Sequence, residues 1–213
     1  MLKIWGRISS INVRKVVWCA QELGLPFERI DAGGKFGGTK TPEYLALNPN
    51  GMVPSIVDGE GAFQIQLFES NVIVRYLCAR YSPGVLYPAA LATRFDAERW
   101  MDWQQTTLNP AGRDAFLQLV RTPAAERNVE KTATSIAAME PLLLQLDQHL
   151  ATHNYLQGPQ FGMADIPVAC DVHRWWALPA SAYTRPHYPH VERWLAALQA
   201  RPASSGVLDI VID

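Results

Sequence analysis

Cysteine is scarce in this chain. Its 213 residues hold three, Cys19, Cys78 and Cys170, far apart and each in an apolar helical context, with no C-x-x-C pair. That spacing offers neither a disulfide framework nor a cysteine-built metal centre, and it points to reduced, buried thiols in a cytoplasmic protein. The histidines, His149, His153, His173, His187 and His190, lack metal spacing with acidic partners, so no metal is expected. An excess of one charge is also missing: 19 Lys and Arg stand against 20 Asp and Glu, a net charge of −1, and the cations form no run. Nucleic acid and anionic membrane surfaces are therefore not expected as partners. No apolar stretch approaches the ~20 residues needed to cross a bilayer. The opening "MLKIWGR" lacks the apolar core of a secretory leader. What remains is an ordinary globular composition, 48% apolar and 18% charged, in a length suited to one large domain or two small ones.

The two halves of the chain have different patterns. Strand-like and helix-like segments alternate through residue 81. "LKIWG" (Leu2–Gly6) reads as a strand, and Asn12–Leu23 as an amphipathic helix stopped by Gly24 and Pro26. "FERID" is a second strand, followed by the Gly-rich loop "AGGKFGG" and a short helix over Pro42–Leu47. "VPSIV" and "AFQIQL" flank the turn "DGEG" and read as a hairpin, and Glu69–Tyr81 as a helix. From Thr93 onward only helical periodicity appears, over Arg94–Leu108, Ala124–His153, Met163–Trp176 and Pro189–Ala200. Pro110 and Pro141 predict a break or kink. The stretch 82–92, rich in Pro, Gly and Ala, marks the boundary, so the expected organisation is 1–81, a linker over 82–92, and 93–213.

Three short segments bear chemistry. In "NPNGMVPSI", Pro54 opens a strand, where it donates nothing to a ladder and implies an edge or special backbone site. Val53 beside it offers a backbone N–H and C=O to an extended peptide, although a tight turn with a trans proline accounts for the same residues. In "FESNVIVRYL", Ser70 is a capping residue at a strand-to-helix junction. The free amides of such a helix start attract an anion, and Glu69 adds a site for an ammonium group. That pair would suit the head group of an α-amino acid, or Ser70 simply caps. In "GRISSINVRKVVW", Ser10 and Asn12 stand at another helix start, able to cap it or to stabilise a bound thiolate.

The order of these segments, with "SSINVRKVVWCAQELGLPFE", "TPEYLALNPNGMVPSI", "FESNVIVRYL" and "YLQGPQFGMADI", resembles the glutathione S-transferases over nearly the whole chain. The resemblance implies an α/β thioredoxin-like N-terminal domain (βαβ-α-ββα) that binds glutathione, and an all-α C-terminal helical domain that completes the electrophile pocket. It implies that Pro54 is the family's cis-proline, with Val53 pairing to the cysteinyl part of glutathione. Glu69 and Ser70 would hold the γ-glutamyl group, and Ser10 the thiolate, assisted or replaced by Asn12. Asn50 joins the same glutathione-binding set, and Lys40 or Lys35 would meet the glycyl carboxylate.

Departures from the family pattern narrow its type. No tyrosine stands at the first strand–loop junction and no cysteine at position 10, which points to serine-type members, theta- or nu-like and bacterial, without mixed-disulfide chemistry. In "FGMADI", Gly162 replaces the usual Ser or Thr cap while Asp165 keeps the reciprocal role and is structural. Family geometry also implies that Trp103, Thr107 and Ile11 wall the second-substrate pocket, with Ile8 and the segment near Val207 closing it. The expected protein is a cytoplasmic homodimeric detoxifying transferase that joins glutathione to a small hydrophobic electrophile. A glutathione-dependent isomerase or dehalogenase, or a non-catalytic binding module on the same fold, would share these residues.

Overall fold

The computed structural model describes residues 1–212. Its first part is a four-stranded sheet in the order β2-β1-β3-β4, built from β1 (Leu2–Trp5), β2 (Phe27–Ile30), β3 (Ser55–Asp58) and β4 (Ile65–Phe68). β1 runs parallel to β2 and antiparallel to β3, and β3 pairs antiparallel with β4. The helices of this part are α1 (Ile11–Glu22), α2 (Pro42–Leu47) and α3 (Ser70–Tyr81), giving the thioredoxin-like βαβ-α-ββα order. The strands are shorter than the sequence suggests. Val53 and Pro54 precede β3, and Gly61–Phe63 forms a 3₁₀ turn before β4.

The remaining helices are α4 (Leu91–Trp103), α5 (Asn109–Phe116), α6 (Val129–Leu150), α7 (Asp165–Trp176) and α8 (Pro189–Gln199). Neither proline interrupts its helix assignment: Pro141 lies inside α6, and Pro110 lies in the first turn of α5. Proline lacks an N–H and its ring crowds the carbonyl four residues back. The chain meets that constraint with a π-helical turn, Gln104–Leu108, in which the Asn109 N–H reaches back to the Gln104 carbonyl. α6 starts later than the periodicity suggests, because Asn128 caps it by accepting from the Lys131 N–H at 2.8 Å.

One core joins the two parts. α1 is buried from Val13 through Ala20, a run no surface helix would show, because the sheet and α3 enclose it on one side and α7 on the other. Two polar side chains in that run, Arg14 and Lys15, are consequently buried as well. Ile4, Val16, Ile56, Ile73, Leu77 and Trp18 continue into Met101, Val168, Trp175 and Trp194 of the helical part. Among the described residues no helix is long and apolar enough to cross a membrane.

Candidate functional site

The starts of α1 and α3 open on a cavity of about 270 Å³. Asn12 reaches it from α1, Asn50, Val53 and Pro54 from the loop before β3, and Glu69 and Ser70 from the start of α3. The three chemistry-bearing segments of the sequence thus meet in one place.

The loop is fixed by its own side chains. The Met52 carbonyl accepts from Tyr44 Oη at 2.7 Å and Asn48 Nδ2 at 2.9 Å, while Asn48 Oδ1 accepts from the Asn50 N–H at 3.0 Å. Gly51, at φ 59°, carries the bend, and a Cβ there would lie 2.6 Å from Lys40 Nζ and 2.8 Å from the Thr39 carbonyl. The Val53–Pro54 peptide is cis, so the trans alternative does not hold. No ladder partner engages Val53, since β3 pairing with β1 begins at Ser55.

α3 starts differently from the sequence reading. Glu69 occupies the capping position and Ser70 is the first helical residue. Glu69 is the sole non-glycine residue among those described with positive φ, at 69°, and its side chain makes no capping bond. A residue held in that sparsely populated region marks a constrained site. The first-turn amides of α3 have no intrahelical acceptor, so the cavity offers anion-binding N–H groups next to a carboxylate. That combination suits a zwitterionic head group.

Ser10 holds the capping position of α1, yet its side chain makes no capping bond. Its backbone closes the turn, with N–H to the Arg7 carbonyl at 3.1 Å and C=O accepting from Arg14 N–H at 3.0 Å. The hydroxyl therefore does not serve as the helix cap. Asn12 lines the cavity; Ser10 does not.

The other expected residues are dispersed. Lys40 Nζ donates to the Asn50 carbonyl at 3.5 Å, at the cavity rim. Lys35 lies 5.3 Å from the Phe36 ring centroid, in a separate groove of about 380 Å³ shared with Arg7, Ile8, Ser9 and Val211. Val207, expected to close a pocket, is buried, and Ile210 and Val211 face Ile8 across that groove. Ile11 is buried, Trp103 packs edge-on against Trp100 at 5.2 Å, and Thr107 is exposed; none of them lines the cavity. The helical part contributes Gln105 instead. The π-helical turn changes the register that a regular helix through Arg94–Leu108 would keep.

Beneath the cavity lies a polar network the sequence reading missed. Lys15, wholly buried, donates from Nζ to Gln104 Oε1 at 2.8 Å, Gln105 Oε1 at 3.2 Å and Ser70 Oγ at 3.4 Å. Ser70 Oγ in turn donates to Asn12 Oδ1 at 3.3 Å. Gln104 also accepts from Asn71 Nδ2 and donates to Asp171, which pairs with Arg174. Burial lowers the Lys15 ammonium to about 8. It pushes the Cys170 thiol up to about 12 and His173 down to about 4. The available signal was position: Lys15 follows Asn12 by three residues and so shares its helix face. Among the described residues no cluster of His, Cys, Asp and Glu is arranged to hold a metal ion.

Comparison with known proteins gives consistent matches. The model of "Glutathione S-transferase, N-terminal domain" matches residues 9–80, and that of "Glutathione S-transferase, C-terminal domain" matches residues 122–197. The chain is 39% identical to Glutathione S-transferase GstB of Escherichia coli (strain K12) over 100% of both chains. It is 33% identical to Elongation factor 1-gamma 1 of Oryza sativa subsp. japonica, over 90% of this chain and 44% of that protein. Among solved structures, the theta class glutathione S-transferase from Xanthomonas axonopodis pv. citri with glutathione bound matches with a TM-score of 0.92. The identity there is 44%, covering 100% of this chain and 99% of that one.

Proposed function

This chain belongs to the glutathione S-transferase family, and we propose that it is a cytoplasmic detoxifying enzyme that joins glutathione to a small apolar electrophile. The observation that carries the reading is the single cavity uniting Asn12, Val53, Pro54, Glu69 and Ser70. In this reading residues 1–81 bind glutathione, 82–92 connect, and 93–213 complete the electrophile pocket.

The zwitterionic γ-glutamyl end of glutathione lies at Glu69 and the first amides of α3, its ammonium facing the carboxylate and its own carboxylate the helix start. The cysteinyl backbone pairs with Val53 as an added strand. Lys40, tied to Asn50 at the rim, meets the glycyl carboxylate; Lys35 is the weaker candidate because it lies in the other groove. The thiolate is stabilised at the start of α1 by the Ser10 hydroxyl and the Asn12 amide, in a region where the helix dipole favours negative charge. Its lone pair forms a C–S bond with the electrophilic carbon, and the electron pair of the broken bond departs with the leaving group. The protein contributes positioning and preorganised donors. The groove at Ile8 and Val211, with its apolar wall, is the candidate place for the electrophile.

A homodimer fits the surface: Val72 on α3 and Leu91 and Phe95 on α4 are exposed apolar side chains, on two helices joined by the Arg75–Asp102 ion pair. Light scattering of wild type against Phe95→Asp checks it.

The central test is ultraviolet difference absorbance of the thiolate as glutathione is titrated against wild type, Ser10→Ala and Asn12→Ala. Thiolate in wild type, and its loss in one variant, identifies the stabilising side chain. Absence of glutathione binding at millimolar concentration overturns the reading. It would then favour a non-catalytic binding module on the same fold.

A further inference from the structure

The ammonium of Lys15 has only donors to offer. Each atom it touches must therefore accept from it: Gln104 Oε1, Gln105 Oε1 and Ser70 Oγ. For the two glutamines this fixes the orientation of a carboxamide. For Ser70 the consequence reaches the cavity. A serine hydroxyl has one hydrogen, and with Lys15 donating to its oxygen from below, that hydrogen must point elsewhere. In this structure it points to Asn12 Oδ1 at 3.3 Å, across the cavity floor. With Asn12 Oδ1 so engaged, its amide N–H groups are the ones left to face a ligand.

We infer that Lys15 is a positioning residue for the γ-glutamyl carboxylate: it turns the Ser70 O–H toward the cavity side and sets a buried positive charge directly behind it. The inference rests on the proposed glutathione-binding reading and goes one layer beneath it. A Ser70 hydroxyl free to rotate would accept from a ligand ammonium as readily as it donates to a ligand carboxylate. With the Lys15 ammonium beneath it, one lone pair is taken, the hydrogen is turned away and a second cation is repelled, so the site distinguishes the two ends of the zwitterion: carboxylate on Ser70, ammonium on Glu69. The network holds the cation in place from the helical half, because Gln104 is itself fixed by Asn71, Asp171 and, through Asp171, Arg174. The second substrate's half of the protein thus helps to orient the first substrate's site.

The charge state of Lys15 adds a readout. Charged and titratable groups facing it are Glu69 at the start of α3 and Cys170, Asp171 and Arg174 on α7. Burial brings its ammonium down to about 8, so the charge that turns the Ser70 O–H toward the cavity is lost as pH rises through that value.

The experiment uses the full-length protein and two probes by calorimetry: S-methylglutathione, which has no thiol to titrate, and its analogue lacking the γ-glutamyl α-carboxylate. Lys15→Met is expected to weaken S-methylglutathione by about tenfold to a hundredfold, the range of a lost charge-assisted contact, while the analogue binds both proteins alike. Because Lys15 acts through Ser70, the loss should largely vanish when Lys15→Met is made in a Ser70→Ala background. In wild type the preference for S-methylglutathione over the analogue should fall between pH 7 and 9, and more steeply than in Lys15→Met, where only the ligands' own ammonium groups titrate. Equal weakening of both probes, or a full effect of Lys15→Met without the Ser70 hydroxyl, overturns the inference. If Lys15→Met does not fold, the wild-type pH dependence decides alone: an unchanged preference from pH 7 to 9 overturns it. Failure of wild type to bind S-methylglutathione at all is a different result, and it overturns the glutathione reading instead.

Discussion

At the start of α7 the Asp165 carboxylate accepts from the Gly162 N–H at 2.9 Å, the Leu156 N–H at 3.0 Å and Trp194 Nε1 at 2.8 Å. The first turns of α1 and α3, by contrast, hold no acidic residue, and neither Ser10 nor Glu69 makes a side-chain capping bond. Both kinds of helix start face the same problem: first-turn amides without partners and a positive dipole end. The α7 start has an anion of its own in the first turn, Asp165, whose carboxylate takes donors from outside that turn in a fully buried site and so ties the 156–162 loop, α7 and α8 together. Those of α1 and α3 leave it unresolved beside a cavity, where a ligand anion completes it. The same physics serves stability where the chain supplies the anion and binding where it does not.

Removing the internal anion should have the largest effect. Asp165→Ala leaves three buried donors unpaired, each costing about 1–3 kcal/mol, so urea unfolding should show a loss of more than ~3 kcal/mol. A loss below ~1 kcal/mol would mean that the α7 start is no more closed than that of α1. Its pH dependence comes next. Burial raises the Asp165 carboxyl to about 6 from 3.8. The folded state therefore holds a proton that the unfolded chain releases. The stability this supplies is present below pH ~4 and is lost as pH rises to ~6, on the order of 2–3 kcal/mol. Asp165→Asn should flatten that slope in denaturant midpoints measured from pH 4 to 7.

The open helix starts should respond in affinity. Glu69→Gln should weaken glutathione by about tenfold to a hundredfold, from loss of one charge-assisted contact. Its unfolding free energy should stay within ~1 kcal/mol of wild type. A large stability loss with unchanged affinity would make Glu69 structural. The smallest effect is expected at Ser10. Capping serines lose about 0.5–2 kcal/mol on truncation to alanine. Ser10→Ala should cost less than ~0.5 kcal/mol, since no capping bond is broken; thermal melts measure it.

Much of this was legible from local pattern. The strand and helix order, the stop at Gly24, the meeting of Val53-Pro54 with Glu69-Ser70, and the reciprocal bond from Asp165 to Gly162 follow from periodicity, capping chemistry and family likeness. Glu69, and not Ser70, holds the capping position of α3, at a positive φ that no spacing in the sequence announces. The π-helical turn preceding Pro110 was not legible in the spacing; Gln105 lines the cavity and Gln104 is buried in the network beneath it.

The sequence by itself therefore determined the elements, their caps and the residue types offered to a ligand, because these depend on neighbours within a few positions. Only the tertiary structure decided that Lys15 is buried and aimed at Ser70, that the Ser10 hydroxyl is uncommitted, and that Lys40 and Lys35 lie in different places. Those outcomes depend on α1 being enclosed by both halves of the protein. Enclosure is a property of packing between residues 55 and 90 positions apart, such as Lys15 with Ser70 and with Gln105. No spacing rule along the chain records it.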